Sequence, residues 1–215
     1  MKSLFGNSEI GEALFIGAHC DDVEIGCGGT LHALAHARPQ VKIHIAVFSG
    51  DPSRSAETRE AIGKLLPNGQ YSLDILGFRD GFFPHEWAQV KGGFEELKTR
   101  VTPDVVFTHY GDDKHQDHCI LSELTWNTFR NQTILEYEIP KYDGDIGRPN
   151  MYVPLSADVV QTKVSALLES FPTQANKRWF TDDLFRGMMR IRGMECNSPS
   201  GYAEAFYARK FAMEW

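Results

Sequence analysis

The sequence predicts an α/β fold of three layers, with helices covering both faces of a mostly parallel sheet. Two observations carry that expectation. Short apolar runs alternate with helical patterns over the first 130 residues, the order that builds parallel βαβ units. Two of the runs, 13–18 and 104–108, stop abruptly in polar residues before a helical pattern resumes. His19, Asp21 and Asp22 follow the first, and His109 to Asp113 follow the second. Strand, polar tip, helix is the arrangement by which α/β proteins hold chemistry at the carboxyl edge of a sheet.

Residues 1–11 are a polar lead-in without a strong pattern. After the first strand a helix is expected over 27–37, with Leu31, Leu34 and Ala35 inward and Arg38-Pro39 ending it. Residues 41–48 read as a second strand, alternating at first and then continuously apolar. A loop with turn and N-cap residues follows, and an amphipathic helix over 53–66 closes at Pro67-Asn68-Gly69. A third strand covers 71–76, a loop rich in Gly, Phe and Pro reaches Trp87, and a helix spans 93–100. Beyond the fourth strand, an apolar helical pattern runs from His118 through Leu121, Leu124, Trp126 and Phe129, and 133–139 is a fifth strand. Residues 140–149 read as an exposed loop. Ser156 with Asp158 caps a helix through Leu168. Another helix at 181–190 and a strand at 204–211 complete the chain. No repeat or linker interrupts the pattern, so residues 1–215 read as one domain.

Composition narrows the function. The chain is 42% hydrophobic and 24% charged, with a formal net charge of -7, which argues against a nucleic-acid or anionic-membrane surface because either would want clustered cations. No apolar stretch approaches the roughly 20 residues of a membrane span. No basic region followed by a long apolar one marks a signal peptide, so the cytoplasm is the expected compartment. Cys20, Cys27, Cys119 and Cys196 have no paired spacing and read as small buried fillers.

An imidazole and two carboxylates within four residues are costly to desolvate unless something pairs them. A divalent metal would do so, and the other half of such a site stands at His115-Gln116-Asp117-His118. If the two strand tips are neighbours, His19, Asp22 and His118 offer two nitrogens and one carboxylate, with a fourth position open; that is the catalytic pattern of zinc. Asp21 can then serve as general base toward water. His115 can stabilise an oxyanion or protonate a leaving group, and Asp117 can accept the outer N–H of a histidine. Taken singly, Asp22 reads more readily as an N-cap, and any one histidine as structural; it is their joint placement at two strand tips that favours a site. His32, His36 and His44 read as surface residues, while His85 and His109 are close enough to the tips to meet substrate. Arg54, Asp80, Tyr142 and Arg148 are the substrate-binding candidates. Gly26-x-Gly28-Gly29 is not a dinucleotide fingerprint, because the acidic tip beside it would repel a pyrophosphate.

Ala18-His19-Cys20-Asp21-Asp22-Val23-Glu24, followed by Gly26-Cys27-Gly28-Gly29-Thr30-Leu31, resembles the Ala-His-Pro-Asp-Asp-Glu signature of the PIG-L/LmbE-like zinc N-deacetylases. His115-Gln116-Asp117-His118 resembles that family's His-Pro-Asp-His motif. Weaker likenesses are Arg54-x-x-Glu57-x-x-x-Ala61-x-x-x-Leu65, Leu76 to Gly81, and Tyr202 to Phe206. The resemblance implies a Rossmann-like fold, a mononuclear metal on His19, Asp22 and His118, Asp21 as base and His115 as oxyanion donor or acid. The sequence departs from the family at Cys20 and Gln116, which replace prolines, at Val23, and at Asp113, where some members carry tyrosine.

These readings converge on a metal-dependent hydrolase that removes an acetyl group from an N-acetylated amino sugar, sugar nucleotide or other sugar conjugate. The expected metal is Zn2+, with Fe2+ or another divalent transition ion as alternatives. A metal-dependent phosphoesterase and a non-catalytic sugar-binding module are the competing classes. The first needs more bridging carboxylates than are visible, and the second has no use for Asp21. Oligomeric state is not readable. The loop 141–149 carries charges and Tyr142 among its glycines and prolines, which suits contacts to a polar ligand. Exchanging it should reorder amine release across a panel of N-acetyl sugars more than it changes metal content; an unchanged ranking would make it a surface excursion.

Overall fold

The computed structural model describes residues 10–69 and 71–211; the first nine residues of the polar lead-in lie outside them. Seven strands form one sheet in the order β3-β2-β1-β4-β5-β7-β6. They are β1 (Glu12–Gly17), β2 (Lys42–Ser49), β3 (Tyr71–Phe78), β4 (Val105–His109), β5 (Thr133–Tyr137), β6 (Met151–Pro154) and β7 (Ala203–Tyr207). The first five are parallel, and β7 runs antiparallel to both β5 and β6. The helices are α1 (Asp22–Ala37), α2 (Pro52–Leu65), α3 (Trp87–Arg100), α4 (Gln116–Thr128), α5 (Ala157–Ser170) and α6 (Asp182–Glu195).

Alternation along β1 explains the three layers. Ala13 and Phe15 face one core with Ile25 and Leu31 of α1, Ile62 of α2, Val164 of α5 and Phe185 of α6. Leu14 and Ile16 face the other, with Val90 and Phe94 of α3 and Leu121 and Leu124 of α4. A strand buried on both faces reads as a continuous apolar run, and β1 does. Its partners are β2 and β4. Chain direction reverses its progress across the sheet between β1 and β4, so the two polar tips meet at the topological switch point. Among the described residues, no helix is long and apolar enough to cross a membrane.

The differences from the sequence-based expectation have local causes. Helix α1 begins at Asp22 instead of Cys27, because two helical segments join across a break at Cys27 (φ -146°, ψ 20°). Glycines 26, 28 and 29 disguise the first segment. Gly26 lies against the Tyr137 ring, where a Cβ would stand 2.1 Å from Cδ2, so a larger residue cannot enter. Helix α3 begins at Trp87 instead of Gly93, since the turn at 82–86 already winds toward it. Four-residue β6 is an edge strand paired with β7 alone and is too short for its pattern to register.

The break in α1 exposes helix termini inside the protein. Glu204 of β7 accepts hydrogen bonds from Gly29 N (2.8 Å) and Thr30 N (2.6 Å), which caps the second segment. Lys163 of α5 donates to Ile25 O (2.6 Å), which closes the first, and to Glu204 Oε1 (2.6 Å). Both side chains are buried. Glu204→Ala should therefore lower unfolding free energy by about 3–5 kcal/mol, the effect of leaving one buried charge unpaired. Urea denaturation measures this, and a loss below about 1 kcal/mol would mean that the pair is not what holds α1 together.

Candidate functional site

Asp22 is the first residue of α1, and its Oδ2 accepts a hydrogen bond from His19 N at 2.7 Å. The tip of β1 thus folds back on itself. Asp21, at the N-cap position, takes a left-handed backbone (φ 113°, ψ -23°) and makes no capping hydrogen bond. His118 comes in from the first turn of α4. Three atoms then face one another: His118 Nε2 lies 3.2 Å from His19 Nδ1 and 3.5 Å from Asp22 Oδ2, and His19 Nδ1 lies 3.3 Å from the same carboxylate oxygen. Tetrahedral ligation with bonds of 2.0–2.1 Å implies ligand edges of about 3.3 Å. The triangle has the size and the donor set of a divalent-ion site.

Each histidine is oriented from behind by a carboxylate. His19 Nε2 lies 3.1 Å from Asp117 Oδ2 and 3.1 Å from Asp80 Oδ1. Asp117 is fully buried and fixed by Gly81 N (2.7 Å) and Phe83 N (3.1 Å). His118 Nδ1 lies 3.0 Å from Asp113 Oδ2. These partners leave His19 Nδ1 and His118 Nε2 free to face inward. Burial pushes His118 down to about 4, the neutral form a ligand requires. Burial also lowers His19, but hydrogen bonds to Asp117 and Asp22 outweigh it and hold the ring well above its usual range.

Asp21 points the other way, toward α2, where Arg54 Nη2 meets its Oδ2 at 2.8 Å. Burial raises Asp21 to about 6, with Arg54 pulling it back and Asp22 pushing further. Arg54 also donates to Cys20 O and, at 2.9 Å, to Thr173 Oγ1. It is therefore committed to the turn at Cys20 and Asp21 as well as to the cavity wall. His115 is the N-cap of α4: its Nδ1 accepts from Asp117 N at 3.3 Å, which leaves the proton on Nε2. Burial and the neighbouring His19 lower its pKa. A neutral imidazole that donates is what an oxyanion needs.

These groups open into a cavity of about 850 Å³. Asp80, His115 and Tyr142 line it, with Arg79, Lys177 and Trp179 beyond. Arg148 is exposed and lies outside that lining, because Gly147 is tied to Glu138 and Arg192 on the α6 side. His85 does not line it either. His109 is fully buried beneath the site: it stacks on His118 at 3.9 Å, its Nε2 accepts from Ala18 N, and its Nδ1 has no hydrogen-bond partner. Asp113, which the sequence marks only as a departure from the family pattern, stands behind His118, and Lys141, a charge of the loop 141–149, pairs with it. Nothing in 171–180 announced Gln174, Lys177 and Trp179. All four cysteines are free, and none joins a metal-competent cluster among the described residues.

The family model described as PIG-L: GlcNAc-PI de-N-acetylase matches residues 14–129. The uncharacterized deacetylase YaiS of Escherichia coli (strain K12) is 32% identical over 142 residues, spanning 59% of this chain and 73% of that protein. The N,N'-diacetylchitobiose deacetylase from Pyrococcus horikoshii, complexed with its inhibitor, matches with a TM-score of 0.73 at 19% identity, covering 94% of this chain and 85% of the other. GalB, the 4-carboxy-2-hydroxymuconate hydratase from Pseudomonas putida KT2440, matches with a TM-score of 0.76 at 16% identity, covering 95% and 98%. At these identities the structural matches report a shared fold.

Proposed function

The chain belongs to the PIG-L (GlcNAc-PI de-N-acetylase) family, and we propose that it is a zinc-dependent amidohydrolase removing the acetyl group from an N-acetylated amino sugar or sugar conjugate. The observation that carries the reading is the inward-facing triangle of His19 Nδ1, Asp22 Oδ2 and His118 Nε2, with edges of 3.2–3.5 Å. A divalent ion held there would supply a Lewis acid for the amide carbonyl and for water. Zinc suits two imidazoles and one carboxylate, and Fe2+ is the nearest alternative. A set built from His19, His115 and His118 also brings three ring nitrogens together, but there His115 would lose its capping role on α4.

In this reading Asp21 accepts the proton of the attacking water. Asp21 lines the same cavity as the triangle without belonging to it. A pKa raised by burial to about 6 leaves it ionised at neutral pH yet basic enough to work. His115 donates Nε2–H to the oxygen that becomes negative as the tetrahedral adduct forms. Asp21 then returns its proton to the departing amine, so one residue serves both steps. The products are acetate and a free amine.

The cavity is larger than an acetamido group needs, which supports a sugar conjugate with Trp179 and Tyr142 as apolar walls for pyranose faces. The Pyrococcus horikoshii deacetylase is named for an N-acetylated disaccharide. The four free cysteines support a reducing, cytoplasmic setting.

Zinc content by mass spectrometry tests the triangle: His118→Ala should lose most bound metal while keeping the wild-type circular dichroism spectrum, and full occupancy would reject the assignment. The base is tested separately. Asp21→Asn should keep metal and substrate binding while turnover falls roughly 100- to 10,000-fold, and His115→Ala should fall on the order of 100- to 1,000-fold. Full activity in Asp21→Asn would place the base elsewhere, and metal loss would make Asp21 a ligand.

A further inference from the structure

The loop that borders the cavity is wired to the metal triangle through one lysine. Lys141 Nζ lies 2.9 Å from Asp113 Oδ2 and 2.5 Å from Asp145 Oδ2. The three side chains are 11%, 3% and 4% exposed, so a cation sits nearly dry between two carboxylates. Asp113 Oδ2 is the same atom that orients His118 Nδ1 at 3.0 Å. Asp113 Oδ1 is already held by His115 N at 2.8 Å, and Asp145 by Lys114 N at 2.8 Å. The loop turns through Gly144 (φ 63°), which brings Asp145 back onto Lys141. Between those anchors, Tyr142 and Asp143 face the cavity, and Tyr142 is 73% exposed.

We propose that Lys141 is a positioning residue that locks the substrate-facing loop to His118 through Asp113, so that loop and metal site are set together. The proposal rests on the reading of His118 as a ligand. Two donors compete for one oxygen of Asp113. Because the ammonium and the imidazole meet the same oxygen, Lys141 fixes where that oxygen stands, and the carboxylate in turn sets how the imidazole presents its inner lone pair. Tyr142 and Asp143 inherit their position from the same anchor. The loop thus contains residues of two kinds: the tip meets substrate, while Lys141 reaches the triangle.

The test compares zinc dissociation constants by chelator competition, and visible spectra of the Co2+-substituted protein, for the wild type, Lys141→Met, Lys141→Arg, Tyr142→Ala and His118→Ala. Lys141→Met should weaken zinc binding roughly 10- to 100-fold, the range for losing an outer partner of a ligand, and should shift the Co2+ bands. Lys141→Arg should restore most of the affinity, and Tyr142→Ala should leave both readouts unchanged. If Lys141→Met does not fold because Asp113 and Asp145 are left facing each other, Lys141→Met/Asp145→Asn removes that repulsion and should show the same weakening. Zinc affinity within twofold of wild type, with unshifted Co2+ bands, would overturn the coupling while leaving the proposed function intact. If His118→Ala keeps full metal, both fall together.

Discussion

Four aspartates at the sheet's carboxyl edge are nearly or fully removed from water: Asp21, Asp22, Asp113 and Asp117. That is the constraint on which the surrounding structure depends. Ionised carboxylates are tolerated in such a place only when each is paired and hydrogen-bonded, and every neighbouring element contributes a partner. Helix α2 sends Arg54 to Asp21, and the loop after β5 sends Lys141 to Asp113. The loop after β3 gives two backbone N–H groups to Asp117. Asp22 is left with imidazoles on one side and the His19 amide on the other, so the deficit of positive charge is concentrated where the triangle opens.

Splitting two adjacent aspartates between different tasks requires an unusual backbone. The left-handed conformation of Asp21 costs on the order of 1–3 kcal/mol, and it turns Asp21 toward α2 while Asp22 faces the histidines. Arg54, bonded to both the Asp21 carboxylate and Cys20 O, holds that turn in place. The strain is retained because the first segment of α1 is itself anchored at its far end, by Lys163 on Ile25 O. Stability and site geometry are thus linked through a helix only partly continuous with itself.

Much of this was legible in the sequence. The alternation that predicts a parallel three-layer sheet lets β1 and β4 be neighbours, and the chemistry-bearing residues of both tips stand within nine positions of a strand end. His19, Asp22 and His118 meet for that reason. What escaped was set by tertiary contact. The start of α1 was hidden because glycines that look like a turn are there for the Tyr137 ring and the Glu204 cap. Arg148 was read from loop composition, which carries no information about which side of a loop faces the cavity. Trp179 and Lys177 come from a connection between helices, where no periodicity marks a residue's direction. Asp113 was noticed only as a departure from a family pattern, yet it stands behind His118.

The match to a hydratase shows how little the fold decides alone. Water can be added to an activated double bond or to an amide carbonyl from the same strand edge, and the two reactions make different demands. Amide hydrolysis needs a group that takes a proton from water and returns it to a poor leaving group, with a donor aimed at an oxyanion. In the proposed reading, Asp21, lifted to about 6, and His115, whose Nδ1 is already occupied by the α4 terminus, would meet both demands. Those two protonation states follow from burial and from one capping hydrogen bond. On that reading the choice of chemistry lies in how the two turns at the strand tips are wound, and the sheet's contribution is to hold them side by side.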